Sequence, residues 1–148
     1  MSLKNQIKSD MKDAMRASDK QRLSVIRMLL ASIQKREIDE RRDLDEAELI
    51  AVIEKQIKQH RDSANQYTDA GRDDRAAAEL SEAKVLSAYL PEPLSDAELD
   101  ALIERVVNDT GASSMKDMGK VMATIKSEAQ GRADMGALSG KIKARLAG

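Results

Sequence analysis

Cysteine, tryptophan and phenylalanine are absent from this 148-residue chain, the aromatic residues amount to two tyrosines, and there are two prolines. Without cysteine there is no disulfide framework, no thiolate nucleophile and no zinc-thiolate site. Without Phe or Trp the core must be built from Leu, Ile, Val, Met and Ala, which favours helix packing over a sandwich or barrel. The stretch Met-Ser-Leu-Lys-Asn-Gln at the start lacks the apolar run of a signal peptide, and nowhere do about eighteen apolar residues follow one another as a membrane span requires. The expectation is a soluble, cytoplasmic protein with no membrane partner.

What is present is 41% apolar and 34% charged residues, enough to bury a core in one compact unit or in a larger and a smaller one. The net charge of −1 is unevenly spread. Residues 1–62 carry 14 basic and 12 acidic groups, residues 63–110 carry 4 and 11, and residues 111–148 carry 7 and 3. The last quarter reads as a basic module behind an acidic one.

Apolar periodicity predicts helices throughout. Leu3, Ile7, Met11 and Met15 recur every four positions behind Ser2 as a cap, in a helix ending near Ala17. A second helix, from about Asp19 to Ile38, carries Leu23, Ile26, Leu30 and Ile33 on one face. Val25, Met28 and Leu29 widen its stripe, which implies burial against more than one neighbour. Asp45 with Glu48 opens a third helix whose seam is Leu49, Ile53, Ile57, His60, Ala64 and Tyr67. Gly71 stops it, and Asp73 begins a fourth helix through Leu80, Val85, Leu86 and Tyr89.

Pro91 and Pro93 push their preceding residues out of helical geometry, so a boundary falls here, between an N-terminal helical domain (1–90) and a C-terminal one (91–148). Ser95 with Glu98 is a capping box for a helix facing inward through Leu99, Leu102, Ile103 and Val106, closed by Gly111. Ser114 with Asp117 opens a helix carrying Met118, Val121, Met122 and Ile125. A last helix from about Asp134 holds Leu138, Ile142 and Leu146. The predicted fold is all-α and multihelical: about four helices, then a small three-helix bundle.

Catalytic constellations are scarce. His60, the single histidine, could pair with Tyr67 two turns on as acid and base, but a polar residue tolerated in a helix contact is the stronger reading. Asp39, Glu40, Asp43, Asp45, Glu46 and Glu48 interleave with Arg36, Arg41 and Arg42 and lack the spacing of a calcium loop, so a self-paired surface is expected. The glycines of the C-terminal part follow no strand and no Gly-Lys-Ser/Thr occurs, which disfavours Walker and Rossmann loops. No cofactor and no metal is expected. The remaining signal is basic: Lys116, Lys120, Lys126, Arg132, Lys141, Lys143 and Arg145 lie around helix starts whose free N–H groups can meet phosphate. No aromatic residue stands beside them, so RNA binding would rest on backbone and shape.

Five blocks make the chain recognisable: RLSVIRML at 22–29, QHRDSANQYTDAGRDD at 59–74, AYLPEPLSDAEL at 88–99, TGASSMKDMGKVM at 110–122 and GRADM at 131–135. In that order they resemble the GatB/YqeY family, in particular its small stand-alone YqeY-like members. The resemblance implies a multihelical fold in two parts, the second similar to the tail domain of the B subunit of tRNA-dependent amidotransferases. In those enzymes the tail recognises tRNA and the chemistry lies in a separate catalytic domain. The family relation also implies carbon-nitrogen ligase activity with glutamine as amide donor, although the metal, ATP and glutaminase sites that such chemistry needs have no counterpart in these residues. The family motif falls on Asp117 to Met122 and on Gly131 to Asp134. There Met118, Val121 and Met122 read as core and Gly119 as a site of close approach by a neighbour, while Lys116, Lys120 and Arg132 read as partner contacts.

Together these readings lead to an expected tRNA-binding or tRNA-enzyme-associated helical protein, with Lys116, Lys120, Lys126, Arg132, Lys141 and Arg145 as its nucleic-acid-binding residues. The alternatives are a protein-interaction module docking through the third and fourth helices, and an amidotransferase-type ligase.

Overall fold

The computed structural model describes residues 2–147, all of whose regular structure is helical. The helices are α1 (Leu3–Arg16), α2 (Lys20–Glu40), α3 (Glu46–Asp69), α4 (Asp73–Ser87), α5 (Asp96–Thr110), α6 (Met118–Ala129) and α7 (Met135–Ala147), with a 3₁₀ turn at Met115–Asp117 before α6. The chain divides into two compact units that meet at the step from Leu90 to Pro91.

In the N-terminal unit, side chains set the helix starts. The Ser2 hydroxyl accepts from Asn5 N–H, the Asp19 carboxylate from Arg22 N–H and the Asp45 carboxylate from Glu48 N–H, each satisfying one of the donors that a helix start leaves open. The wide stripe of α2 is explained by its packing against α1, α3 and α4. Ile7, Ile26, Leu29, Ile33, Ile53 and Leu86 are fully buried in one core. Three residues of the expected apolar faces turn outward, Met15, Met28 and Leu80. A strict spacing of four drifts about 40° per step on a helix of 3.6 residues per turn, so by the third step Ala14 has taken the inward place of Met15.

Gln56 of α3 is the buried polar residue of this core, and its amide donates to Ser32 Oγ on α2 at 2.7 Å. The exit of α2 is a mesh of charge: Arg36 meets Glu40 at 2.7 Å, and Arg42 meets Glu48 at 2.9 Å and Glu40 at 3.0 Å. Lys4 reaches from α1 to Glu37 at 2.6 Å.

In the C-terminal unit, the capping box of α5 is formed in both directions by Ser95 and Glu98, and Gly111 closes the helix at φ +68°, where a side chain would be strained. Leu99, Ile103, Val106, Val121, Ile125, Leu138 and Ile142 make its core. α6 packs against both α5 and α7. Thr110 at the end of α5 meets Lys120 at the start of α6 and Arg105, earlier in α5, pairs with Glu128 near the end of α6, so these two run antiparallel. Asp100–Lys141 and Glu104–Arg145 share one offset of 41 residues, so α7 runs parallel to α5.

Candidate functional site

The seven basic groups of residues 111–148 belong to the same folded unit as the acidic residues of α5, and this changes what they do. From Pro91 onward the unit holds eight basic and nine acidic residues. The acidic and basic segments are therefore two sides of one nearly neutral body. Lys141 Nζ binds Asp100 at 2.9 Å and the Arg145 guanidinium binds Glu104, and these hydrogen bonds to carboxylates push both cations' pKa values up. Arg132 Nε donates to the carbonyl of Glu92 at 2.8 Å, while Leu94 N–H donates to the carbonyl of Arg132 at 2.8 Å. The loop at 131–134 is thus clasped to the proline segment. Lys120 Nζ donates to the Thr110 carbonyl at 3.3 Å, supplying a cation to the C-terminal end of α5, where the helix dipole favours it.

Lys116, Lys126 and Lys143 remain: exposed, and without an ion-pair partner among the described residues. Asp117, the one acid between Lys116 and Lys120, is occupied. Its carboxylate accepts from Ser113 N–H at 2.9 Å and Ser114 N–H at 3.3 Å, which holds its pKa below the usual carboxylate range. Gly119 differs from expectation, because among the described residues no atom beyond its own stretch of helix lies within 4 Å of where a β-carbon would stand. It accommodates no close neighbour within this chain, and its backbone faces open space on the exposed side of α6.

His60 and Tyr67 do not form a pair. Arg75 lies over the Tyr67 ring, 5.9 Å from its centroid. His60 Nδ1 instead meets Glu79 Oε2 of α4 at 2.7 Å and Glu82 Oε2 at 3.4 Å. The sequence reading missed these two glutamates; their spacing of three on one face of α4, opposite a helix bearing the one histidine, is the signal that could have found them.

The sequence profile of the family described as Yqey-like protein matches residues 4–146. The chain belongs to the YqeY-like family. It is similar to proteins named "Altered inheritance of mitochondria protein 41, mitochondrial": 35% identical to that of Vanderwaltozyma polyspora over 76% of this chain and 64% of the relative. The one from Kluyveromyces lactis is 34% identical over 93% and 72%, and the one from Lachancea thermotolerans 36% over 73% and 59%. In two of these three YqeY-like relatives the match thus spans less than two thirds of the relative's own length.

The same relatives overturn the expectation of a cytoplasmic protein, since they are named as mitochondrial. That expectation rested on the lack of cysteine and on the polar character of the first residues, neither of which separates an organelle-interior protein from a cytoplasmic one. Among the described residues no helix is long and apolar enough to cross a membrane.

Proposed function

We propose that this YqeY-like protein works by binding rather than by catalysis of its own, presenting the exposed side of α6 to tRNA or to a tRNA-handling enzyme of the amidotransferase type. The observation that carries this is Gly119. A glycine costs up to about 1 kcal/mol relative to alanine in a helix interior and less in a first turn, where Gly119 stands, and here it relieves no crowding among the described residues. It leaves a bare stretch of backbone beside Lys116 and Lys120, suited to close approach by a phosphate backbone. Mitochondria make proteins of their own and need charged tRNA, so the relatives' compartment is compatible with the same work. A protein partner is the second reading, favoured by Met15, Met28, Ile38 and Leu80, which are large, apolar and exposed on the N-terminal unit.

The test is a titration with total tRNA at low and moderate salt, comparing wild type with a Lys116→Glu/Lys126→Glu variant. These two lysines are chosen because neither has an ion-pair partner among the described residues, whereas Arg132 binds the Glu92 carbonyl and Lys141 and Arg145 bind carboxylates of α5. Binding should weaken as salt rises, and the variant should lose about two from the slope of log affinity against log salt if both lysines meet phosphate. Absence of binding by wild type at low salt would sink the RNA reading and direct the search to protein partners. Turnover of glutamine by the same sample would overturn the non-catalytic part.

A further inference from the structure

The cluster joining α3 to α4 has no part in the reading above. His60 projects from α3, and Glu79 and Glu82 project from α4 toward the same imidazole nitrogen. The side chain of His60 is 11% exposed, and those of Glu79 and Glu82 are 24% and 29% exposed. The cluster is therefore rooted between the helices and open to solvent on its outer side.

We propose that His60, Glu79 and Glu82 form a binding site for a divalent transition-metal ion of the zinc class, which fastens α4 to α3. Three observations carry this. One nitrogen and two carboxylate oxygens lie within 4.8 Å of one another. Metal–ligand bonds of about 2.0 to 2.2 Å place neighbouring donors roughly 3 to 3.5 Å apart, a spacing that side-chain adjustments within this cluster can reach without moving either helix. The nitrogen–oxygen separation to Glu82, 3.4 Å, falls within that spacing, and that to Glu79, 2.7 Å, must lengthen slightly to admit the ion.

The second observation is charge. Glu37 has Lys4 at 2.6 Å and Glu48 has Arg42 at 2.9 Å, but neither Glu79 nor Glu82 has a lysine or arginine partner among the described residues. Two carboxylates share one imidazole, and a single ring proton cannot serve both. A divalent cation beside a neutral imidazole balances the pair.

The third is donor chemistry. Imidazole with two carboxylates suits zinc, iron(II) or manganese(II) better than the all-oxygen preference of calcium and magnesium, and the order of intrinsic affinities puts zinc ahead of the other two. Three protein ligands leave positions for water on the exposed side.

The experiment uses the full chain and zinc chloride as probe, with thermal unfolding and calorimetric titration as readouts. Wild type should bind about one equivalent and unfold at a higher temperature when zinc is present. His60→Gln, Glu79→Gln and Glu82→Gln should each weaken binding by about tenfold or more and lose the zinc-dependent rise measured against their own metal-free transition. Glu82→Gln leaves the shorter His60–Glu79 hydrogen bond in place and should fold even if the His60 variant does not. Cobalt(II) offers a second signature: visible absorption bands of a nitrogen–oxygen site in wild type, absent from the variants. No rise with zinc in wild type, or variants that bind as tightly as wild type, overturns the proposal.

Discussion

The two units use similar numbers of opposite charges in different ways. Up to Leu90 the chain holds seventeen Lys and Arg and seventeen Asp and Glu, and polar groups are drawn inward there: Glu37 is 12% exposed beneath Lys4, His60 sits between helices, and neutral Gln56 is buried outright. From Pro91 on the core is wholly apolar, and the charges lie outside it in pairs whose side chains are a third to two thirds exposed. Exposed pairs contribute little stability each and are screened by salt, whereas polar groups inside a core fix which helix faces meet. The N-terminal unit thus gains register from buried polar contacts. The C-terminal unit relies on apolar packing and on the caps at its helix ends.

The comparison breaks most visibly where both units depend on the same physics. Ile53 and Ile125 are each fully buried, one in each core, and truncation to alanine is expected to cost about 2 to 5 kcal/mol. Hydrogen exchange should report the loss in α1–α4 for Ile53→Ala and in α5–α7 for Ile125→Ala. Loss of protection across both units from either variant would show one cooperative body.

A smaller effect separates the units by their caps. Ser95→Ala removes the hydroxyl that accepts from Glu98 N–H while leaving the reciprocal bond from the residue 95 N–H to the Glu98 carboxylate, and should cost about 1 kcal/mol, read by chemical denaturation and confined to the C-terminal amides.

The smallest effect is acid sensitivity. The hydrogen bond from Lys4, then that from Leu44 N–H, holds the Glu37 carboxyl below its usual pKa; the N–H groups of Ser113 and Ser114 do the same for Asp117. A folded-state pKa below the unfolded value gives stability that is present above the unfolded value and lost as pH falls through the folded one. Glu37→Gln should flatten the acid limb of stability for the N-terminal amides, and Asp117→Asn that for the C-terminal amides, with neither changing the alkaline side.

Helix ends were legible because their determinants are local. Ser2, Asp45, Ser95 and Gly111 sit within four residues of the groups they satisfy, and each stands where the sequence places it. The helical stripes were legible as far as one turn predicts the next, which is why Ile7 is buried and Met15 is not. Pairings between helices were not legible. Windows cut at residue 110 assigned Asp100 and Glu104 to one module and Lys141 and Arg145 to another, whereas parallel packing across 41 residues makes them partners. The same limit hid Glu79 and Glu82 from His60, because their meeting depends on how α4 folds back along α3. Gly119 misled for the opposite reason: sequence identifies a residue that permits approach, but not whether anything in the chain approaches.

The clasp between Arg132 and the proline segment bears on how the protein resists digestion. Loops are usually where proteases cut first, since a bound peptide must be drawn out into an extended strand. At Arg132 the guanidinium is spent on the Glu92 carbonyl and the residue's own carbonyl on Leu94 N–H. A trypsin-like enzyme needs both the side chain and the peptide group at that position, and here must break the clasp to obtain either. The loop before α7 therefore behaves toward a protease as part of the folded body.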